Sequence, residues 1–353
     1  MAKTKKSARQ PKSRRWTYVL VVLMFLFVSF SYYFYQIFYT PNVDTKGQPA
    51  VLYIKTEADF AEVMDSIESK NIIIDRLSLR FIAKLMDYPE LVKPGRYEIE
   101  NGTTNYKLIS KLRAGLQSPV KVTFHNVRLK KQLTEKLSSY IEADHREIDS
   151  LLSDPAYVRS LGFDTTTVMT MFVPNTYEVY WNTSGKELLD RLHKEYGKFW
   201  TKEREQKAEQ LGLSKAEVSV LASIVEAESQ KKDERPRIAG VYLNRLKRRQ
   251  PLQADPTVVF AVQDFTIRRV LNVHLQTDSP YNTYKYAGLP PGPINLPSIS
   301  SIDAVLNREN HDYFYFCARE DFSGYHAFAR THEEHIRNAR RYQQALNERK
   351  ILK

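Results

Sequence analysis

From Trp16 to Val43 the chain runs 28 residues without a charged side chain, and most of that run is aliphatic or aromatic. A helix rises about 1.5 Å per residue, so roughly twenty such residues cross the ~30 Å hydrocarbon layer of a bilayer. The pattern predicts a membrane-spanning helix over 16–39. Trp16 and Tyr18 at one end, and Tyr32, Tyr33 and Tyr35 towards the other, suit the two interfacial belts. A cleaved signal peptide is the competing reading. Its apolar stretch is shorter, about 7–15 residues, and it closes on small residues. Here bulky aromatics fill the exit, which favours a retained anchor.

Beyond residue 40 the hydrophobic period switches repeatedly between two and 3.6. Thr40 to Ala50 reads as a short linker, and Val51–Ile54 as a strand. Phe60, Val63, Met64 and Ile67 stand at helical spacing. A second helix is expected from about Ser78 to Met86. Pro94-Gly95 then marks a turn before a strand ending at Ile99, and a short helix carries Leu108, Ile109 and Leu112 up to Gly115. Strand, helix, helix, strand is a small α+β module whose order suits a LysM-like fold. Residues 40–118 are assigned to it and its linker.

Residues 119–213 form an intermediate α+β region. It has a strand at Val120–His125, a helix with Leu133, Leu137, Tyr140 and Ile141, and charged helices broken by the aromatic insert Met171–Trp181. Residues 214–353 form a third part of mixed α/β character. It opens on the capping box Ser214-Lys-Ala-Glu217, continues with a helix over 235–248, and ends on a polar helix after Thr331-His-Glu-Glu334. The fold class is therefore α+β, with one N-terminal spanning helix.

Charge changes this picture only locally. The formal net charge is +12, but the first fifteen residues hold seven Lys or Arg and no acid, and without them +5 remains. A basic tail, not a basic protein, speaks against nucleic acid as a partner. The positive-inside rule keeps residues 1–15 cytoplasmic and sends the body outside, anchored in the cytoplasmic membrane. The single cysteine, Cys317, lies in the run Tyr313–Ala318, read as a buried strand, and is a core thiol rather than a nucleophile.

Candidate chemistry sits where an apolar helix ends in acid: Leu221-Ala-Ser-Ile-Val-Glu-Ala-Glu-Ser229. At 100° per residue Glu226 and Glu228 lie about 200° apart, so they cannot share a face. Glu228 stacks on Ile224 and Leu221; Glu226 stands on Ala222 and Ser223, a smaller and more polar support. Desolvation at the first position raises a carboxyl pKa and holds a proton ready for donation. Spacing leans to Glu228 as the acid but leaves the choice open. Some fifty residues on, Ser279–Ile294 is rich in aromatics, amides, Pro and Gly, as a rigid sugar-binding groove would be. His332-Glu-Glu-His335 lacks the spacing of a zinc helix, so neither metal nor cofactor is expected.

These segments resemble the YceG-like family of endolytic murein transglycosylases, known as MltG. The likeness is carried by Leu221–Ser229, Val241-Tyr-Leu-Asn-Arg-Leu246, Leu252-Gln-Ala-Asp-Pro-Thr-Val258, Tyr281-Asn-Thr-Tyr284, Gly288–Ile294 and Gly324–Thr331, in the family's order. It extends more weakly to Val92–Tyr97 and Phe172–Tyr177. The resemblance implies that Glu228 is the catalytic acid, with Ser229 as the hydroxyl residue that follows it.

Asn244, Gln253, Asp255, Tyr281, Asn282, Thr283, Tyr284 and His326 become candidates for substrate binding, and Glu226 for support of the site. For Asp255, capping a turn before Pro256 is an equal alternative. Met169-Thr170 and Asn175 depart from the family pattern, which often carries Glu-Gly and Asp there, so a carboxylate is missing twice; auxiliary roles near that segment do not transfer.

The reaction implied is cleavage of the β-1,4 bond between N-acetylmuramic acid and N-acetylglucosamine in nascent peptidoglycan, giving a 1,6-anhydro end. The implied role is termination of strand growth beside the peptidoglycan synthases. Two rivals stay open: a muramidase that uses water, and a non-catalytic glycan-binding scaffold.

Overall fold

The computed structural model describes residues 14–349, so most of the basic tail assigned to 1–15 lies outside the described residues. The chain divides into two compact units. One comprises the residues up to Val120 with Tyr180–Asn182; the other comprises Lys121–Val179 and everything from Thr183 onward.

The first unit begins with helix α1 (Arg14–Tyr39). Its stretch Trp16–Tyr39 is 24 residues long, apolar enough to cross a membrane, and unburied over its most apolar window. There follow β1 (Ala50–Ile54), α2 (Phe60–Ser69), α3 (Arg76–Leu85), β2 (Gly95–Ile99) and α4 (Asn105–Ala114). β1 and β2 pair antiparallel, with Leu52 opposite Tyr97. Asp59 and Glu62 form a capping box at the start of α2, and Asp75 caps α3 through the amides of Leu77 and Ser78. These caps satisfy amides that the first helical turn leaves without partners. Leu52, Met64, Ile67, Leu79, Ile82, Tyr97 and Leu112 fill the core.

Thr40–Ala50 is not the free linker its polarity suggests. Asn42 and Val43 are buried, and Pro41 and Val43 bridge to Thr104 and Ile73. The segment behaves as an edge of the module because its backbone groups find partners there.

The second unit is mostly helical. It contains all but the first residue of β3 (Val120–Thr123), then α5 (Lys130–Ser138), α6 (His145–Ser153), α7 (Pro155–Ser160), β4 (Thr176–Val179), α8 (Gly185–Phe199), α9 (Lys202–Leu211) and α10 (Lys215–Glu228). After these come α11 (Arg235–Lys247), α12 (Asp255–Val262), α13 (Asn272–Leu275), α14 (Ile299–Leu306), β5 (Tyr315–Ala318), β6 (His326–Ala329) and α15 (His332–Glu348). Its sheets are two small pairs, β3 with β4 and an antiparallel β5–β6 hairpin. The part from 214 onward mixes helix and sheet as expected, with helices dominant and the sheet confined to one hairpin. Helix α5 ends at Ser138, before Tyr140 and Ile141. The β5 strand is half-buried, Cys317 included, so this thiol sits at the edge of the core.

Helix α10 is the centre of this unit. Residues Val218 to Val225 are all buried, and the helix packs on α14, α11, α12 and α9. Ser214 and Glu217 make the reciprocal capping box at its start, with the Glu217 amide donating to Ser214 Oγ at 3.2 Å. Its other end opens on a cavity.

Candidate functional site

The cavity, about 770 Å³, is lined by Glu226, Ala227 and Glu228 from the end of α10, Arg235 from α11, and Asp255, Val259 and Phe260 from α12. The segment Ile294–Leu296 closes it beside Asn126, Arg128 and Gln132, with Phe265 and Arg268 completing the wall. A space of this size suits a ligand of several hundred cubic ångströms held by a few polar groups.

Glu228 is the last residue of α10, above fully buried Leu221 and Ile224. Burial pushes its carboxyl up to about 7. A hydrogen bond from Tyr242 works against that rise, and the charge of Asp255 adds to it. His326 and Arg245 pull the value down more weakly. The Tyr242 hydroxyl donates to Glu228 Oε1 at 2.7 Å. Tyr242 is itself buried in α11, and that burial holds its hydroxyl proton far into the alkaline range.

Glu226 points elsewhere. Its Oε2 accepts from the Ser298 amide at 2.7 Å and from Ser301 Oγ at 2.6 Å. Arg235 stands 3.6 Å from the same oxygen and donates to Ser301 Oγ at 2.7 Å and to the Ser229 carbonyl at 3.1 Å. The two glutamates diverge as a helix requires: Glu226 ties α10 to α14, while Glu228 faces the cavity and α11.

Ser229, just past the helix, is buried. Its hydroxyl donates to Glu234 Oε2 at 3.3 Å and accepts from the Lys231 amide at 3.1 Å. Glu234 is buried as well, and it receives the His326 amide at 2.8 Å and His326 Nδ1 at 2.7 Å. Against a carboxylate that nitrogen carries the proton. The hairpin β5–β6 is thereby hooked to the loop after α10.

The other residues selected from the sequence divide into two groups. Asp255 lines the cavity and accepts from the Tyr284 hydroxyl at 2.6 Å, while the Tyr281 ring lies 4.7 Å from that of Phe260 in the wall. Gln253 lies in the turn before α12 with φ 51°, its amide donating to the Thr283 carbonyl at 3.1 Å.

Asn244, Asn282 and Thr283 are turned to the backbone instead. Asn244 donates to the carbonyls of His311 and Tyr313 at 2.8 and 3.0 Å. Asn282 donates to those of Leu275 and Thr277 at 3.0 and 2.8 Å. Thr283 Oγ1 accepts from the Ala254 amide at 3.0 Å and lies 2.8 Å from Thr257 Oγ1. These bonds build the wall and leave little of the side chains for a ligand.

Reasoning from spacing missed Tyr242, Glu234 and Arg235. Tyr242 reads as an apolar core position, and its one signal is that a buried phenol needs an acceptor. Glu234 and Arg235 fall in the charged run Lys231-Lys-Asp-Glu-Arg235, which looks solvated until the fold buries its last two members.

Comparison with known proteins bears on this arrangement. Residues 52–341 match the model of the YceG-like family. The chain is 42% identical over 142 residues to the endolytic murein transglycosylase of Bacillus subtilis, which covers 39% of each chain. It is 25% identical over 311 residues to that of Streptococcus pneumoniae strain D39, covering 78% of this chain and 55% of the relative. The match thus spans about two fifths and about half of the lengths of these relatives. A crystal structure of a yceG-like protein from Listeria monocytogenes superposes with a TM-score of 0.56 at 25% identity, over 82% of this chain and 98% of that one. With most of its length matched to the family model, the chain belongs to the YceG-like family.

Proposed function

We propose that the chain is a membrane-anchored endolytic murein transglycosylase, with Glu228 as its acid. The observation that carries this reading is a carboxyl raised to about 7 at the mouth of a polar cavity, held by the hydroxyl of Tyr242. Such a group keeps its proton near neutrality and still gives it up readily.

In the proposed reaction Glu228 donates its proton to the glycosidic oxygen as the muramoyl C1–O4 bond breaks. The resulting carboxylate takes the proton of the C6 hydroxyl while O6 bonds to C1, which closes the 1,6-anhydro ring and restores the acid. One carboxyl serves both steps, because the nucleophile belongs to the substrate. Arg128 and Arg268 along the cavity suit the carboxylates of muramic acid and its stem peptides. Asp255 and Tyr281 belong to the groove that holds the sugars. Ser229, Asn244, Gln253, Asn282, Thr283, Tyr284 and His326 act by fixing its walls, and Glu226 by fixing the end of α10.

The first unit is read as a LysM-like glycan-binding module, supported by its strand–helix–helix–strand order and antiparallel pairing. Helix α1 is the single membrane anchor. The basic residues before it keep that end cytoplasmic and the body outside, where nascent strands and their synthases are met. Residues 214–353 carry the chemistry, and 119–213 the adjoining wall.

Hydrolysis is the second reading, favoured by one observation: Asp255 lines the same cavity as Glu228. A second carboxylate there would activate water and make the enzyme a muramidase. The products decide between them. Purified peptidoglycan is digested by the full chain in detergent, beside Glu228→Gln, and the fragments are resolved by mass spectrometry. Anhydromuramoyl ends from the unsubstituted chain alone are expected. Reducing ends would establish the muramidase, and intact strands bound by both proteins would leave a scaffold.

A further inference from the structure

The end of α1 is built into the first unit. Ile37, in its last turn, belongs to the core of the module. Asn105 Nδ2 donates to the Ile37 carbonyl at 3.1 Å and to Ser78 Oγ on α3 at 2.9 Å, and the Phe38 ring lies 6.4 Å from that of Tyr106 on α4. The start of α3 is therefore held at the level where α1 ends. Twenty-four residues of α1 rise about 36 Å, against a hydrocarbon layer of ~30 Å, so that level is the membrane interface.

What α3 presents there is unusual for a surface helix. Its buried face consists of Ser78, Leu79, Ile82 and Ala83. Its outward half is split lengthwise. Leu77, Phe81 and Leu85, four residues apart, form an exposed apolar ridge, and Ile74, just before the helix, is exposed as well. Leu77 is 78% exposed and Ile74 69%, so neither contributes to the module's core. Arg76, Arg80 and Lys84, also four apart, form a basic ridge beside it. Glu68 pairs with Arg76 and Arg80 at 3.5 and 2.7 Å, and both guanidinium side chains remain about half exposed. An apolar stripe bordered by long cationic side chains is what an interfacial helix buries in headgroups, with its charges reaching up to the phosphates.

We propose that the ridge Ile74–Leu77–Phe81–Leu85 docks on the outer surface of the bilayer that α1 crosses. This rests on the reading of α1 as a membrane anchor. Docking gives the module a second attachment, so it cannot swing freely about the end of α1. The start of α3 is tied to the membrane end of α1, and the cationic ridge beside the apolar one complements anionic headgroups, which is why a membrane rather than a protein is its occupant.

The test uses the full chain with Cys317→Ala, reconstituted in phosphatidylcholine–phosphatidylglycerol vesicles. It carries one environment-sensitive fluorophore at Ile74→Cys, Leu77→Cys, Phe27→Cys or Leu116→Cys. Phe27 lies in the middle of α1, and Leu116 is exposed just beyond the far end of α4. The labels at 74 and 77 are expected to shift to the blue and lose most of their emission to a shallow doxyl lipid. The label at 27 should respond to a deep one, and that at 116 to neither. Quenching at 27 without quenching at 74 and 77 overturns the docking and leaves the anchor standing. No quenching at 27 removes the anchor and the docking together. A blue shift at 77 without lipid quenching means that a protein covers the ridge, and equal quenching at 116 means unspecific adsorption; either outcome also overturns the proposal.

Discussion

The hydroxyl of Tyr242 meets Glu228 Oε1 at 2.7 Å across the packing of α11 on α10. It is the direct hydrogen bond to the candidate acid, and it sets the balance between burial, which favours the protonated carboxyl, and a donor that favours the ionised one.

Tyr242→Phe removes that donor and leaves the ring in place. Hydrogen bonds to charged groups contribute about 1.5–3 kcal/mol, so the alkaline limb of activity should move up by about one to two pH units. A pH profile of peptidoglycan cleavage checks this. A limb that stays put would mean that the phenol acts only as packing.

Glu228→Gln should lower cleavage by about 10²–10⁴-fold, the range of general acid catalysis, with the fold intact. It also carries a stability signature. The folded carboxyl titrates at about 7 and the unfolded one near 4.5. The stability this group contributes is fully present below about 4.5 and is lost as the pH rises to about 7, because the unfolded chain ionises first. The difference corresponds to on the order of 3 kcal/mol. Denaturant melts at pH 5 and pH 8 should show the Gln variant gaining on the unsubstituted protein at the higher pH.

Glu226→Ala leaves the Ser298 amide and Ser301 Oγ without their acceptor and the buried Arg235 without its counter-charge. Breaking such a pair costs about 3 kcal/mol or more, and here it frees the end of α10 from α14. Glu226→Gln keeps an acceptor and should cost about 1 kcal/mol. Melts that rank the three proteins in this order, with cleavage falling in parallel, are expected. Full stability with lost cleavage would instead put Glu226 in the chemistry.

Gly292 lies where the groove wall crosses the chain near Thr166. A Cβ there would come 2.4 Å from the Thr166 carbonyl oxygen and 2.8 Å from the Tyr281 hydroxyl. Gly292→Ala should destabilise by about 1–3 kcal/mol, as overpacking does, and a thermal melt reads it as a lowered midpoint. Gly288, with open space around its Cβ position, has only its φ of +98° against substitution.

Much of this protein was legible before any fold was known, wherever the information is local. The 28-residue uncharged run, the capping box at Ser214, and the period of α10 that separates Glu226 from Glu228 all follow from interactions within a few residues. Strand order in the first module was legible for the same reason. What tertiary structure alone decided are the pairings across distance. Glu228 with Tyr242, Glu226 with Ser298 and Ser301, and Glu234 with His326 join residues 14 to 92 positions apart. The same holds for exposure: Asn244, Asn282 and Thr283 looked like ligand-binding groups, yet the fold turns them to backbone carbonyls and amides, and Thr40–Ala50 looked like a linker but became an edge. Residue type states which hydrogen bonds a side chain can make; only packing, which removes water, determines which of them it must make.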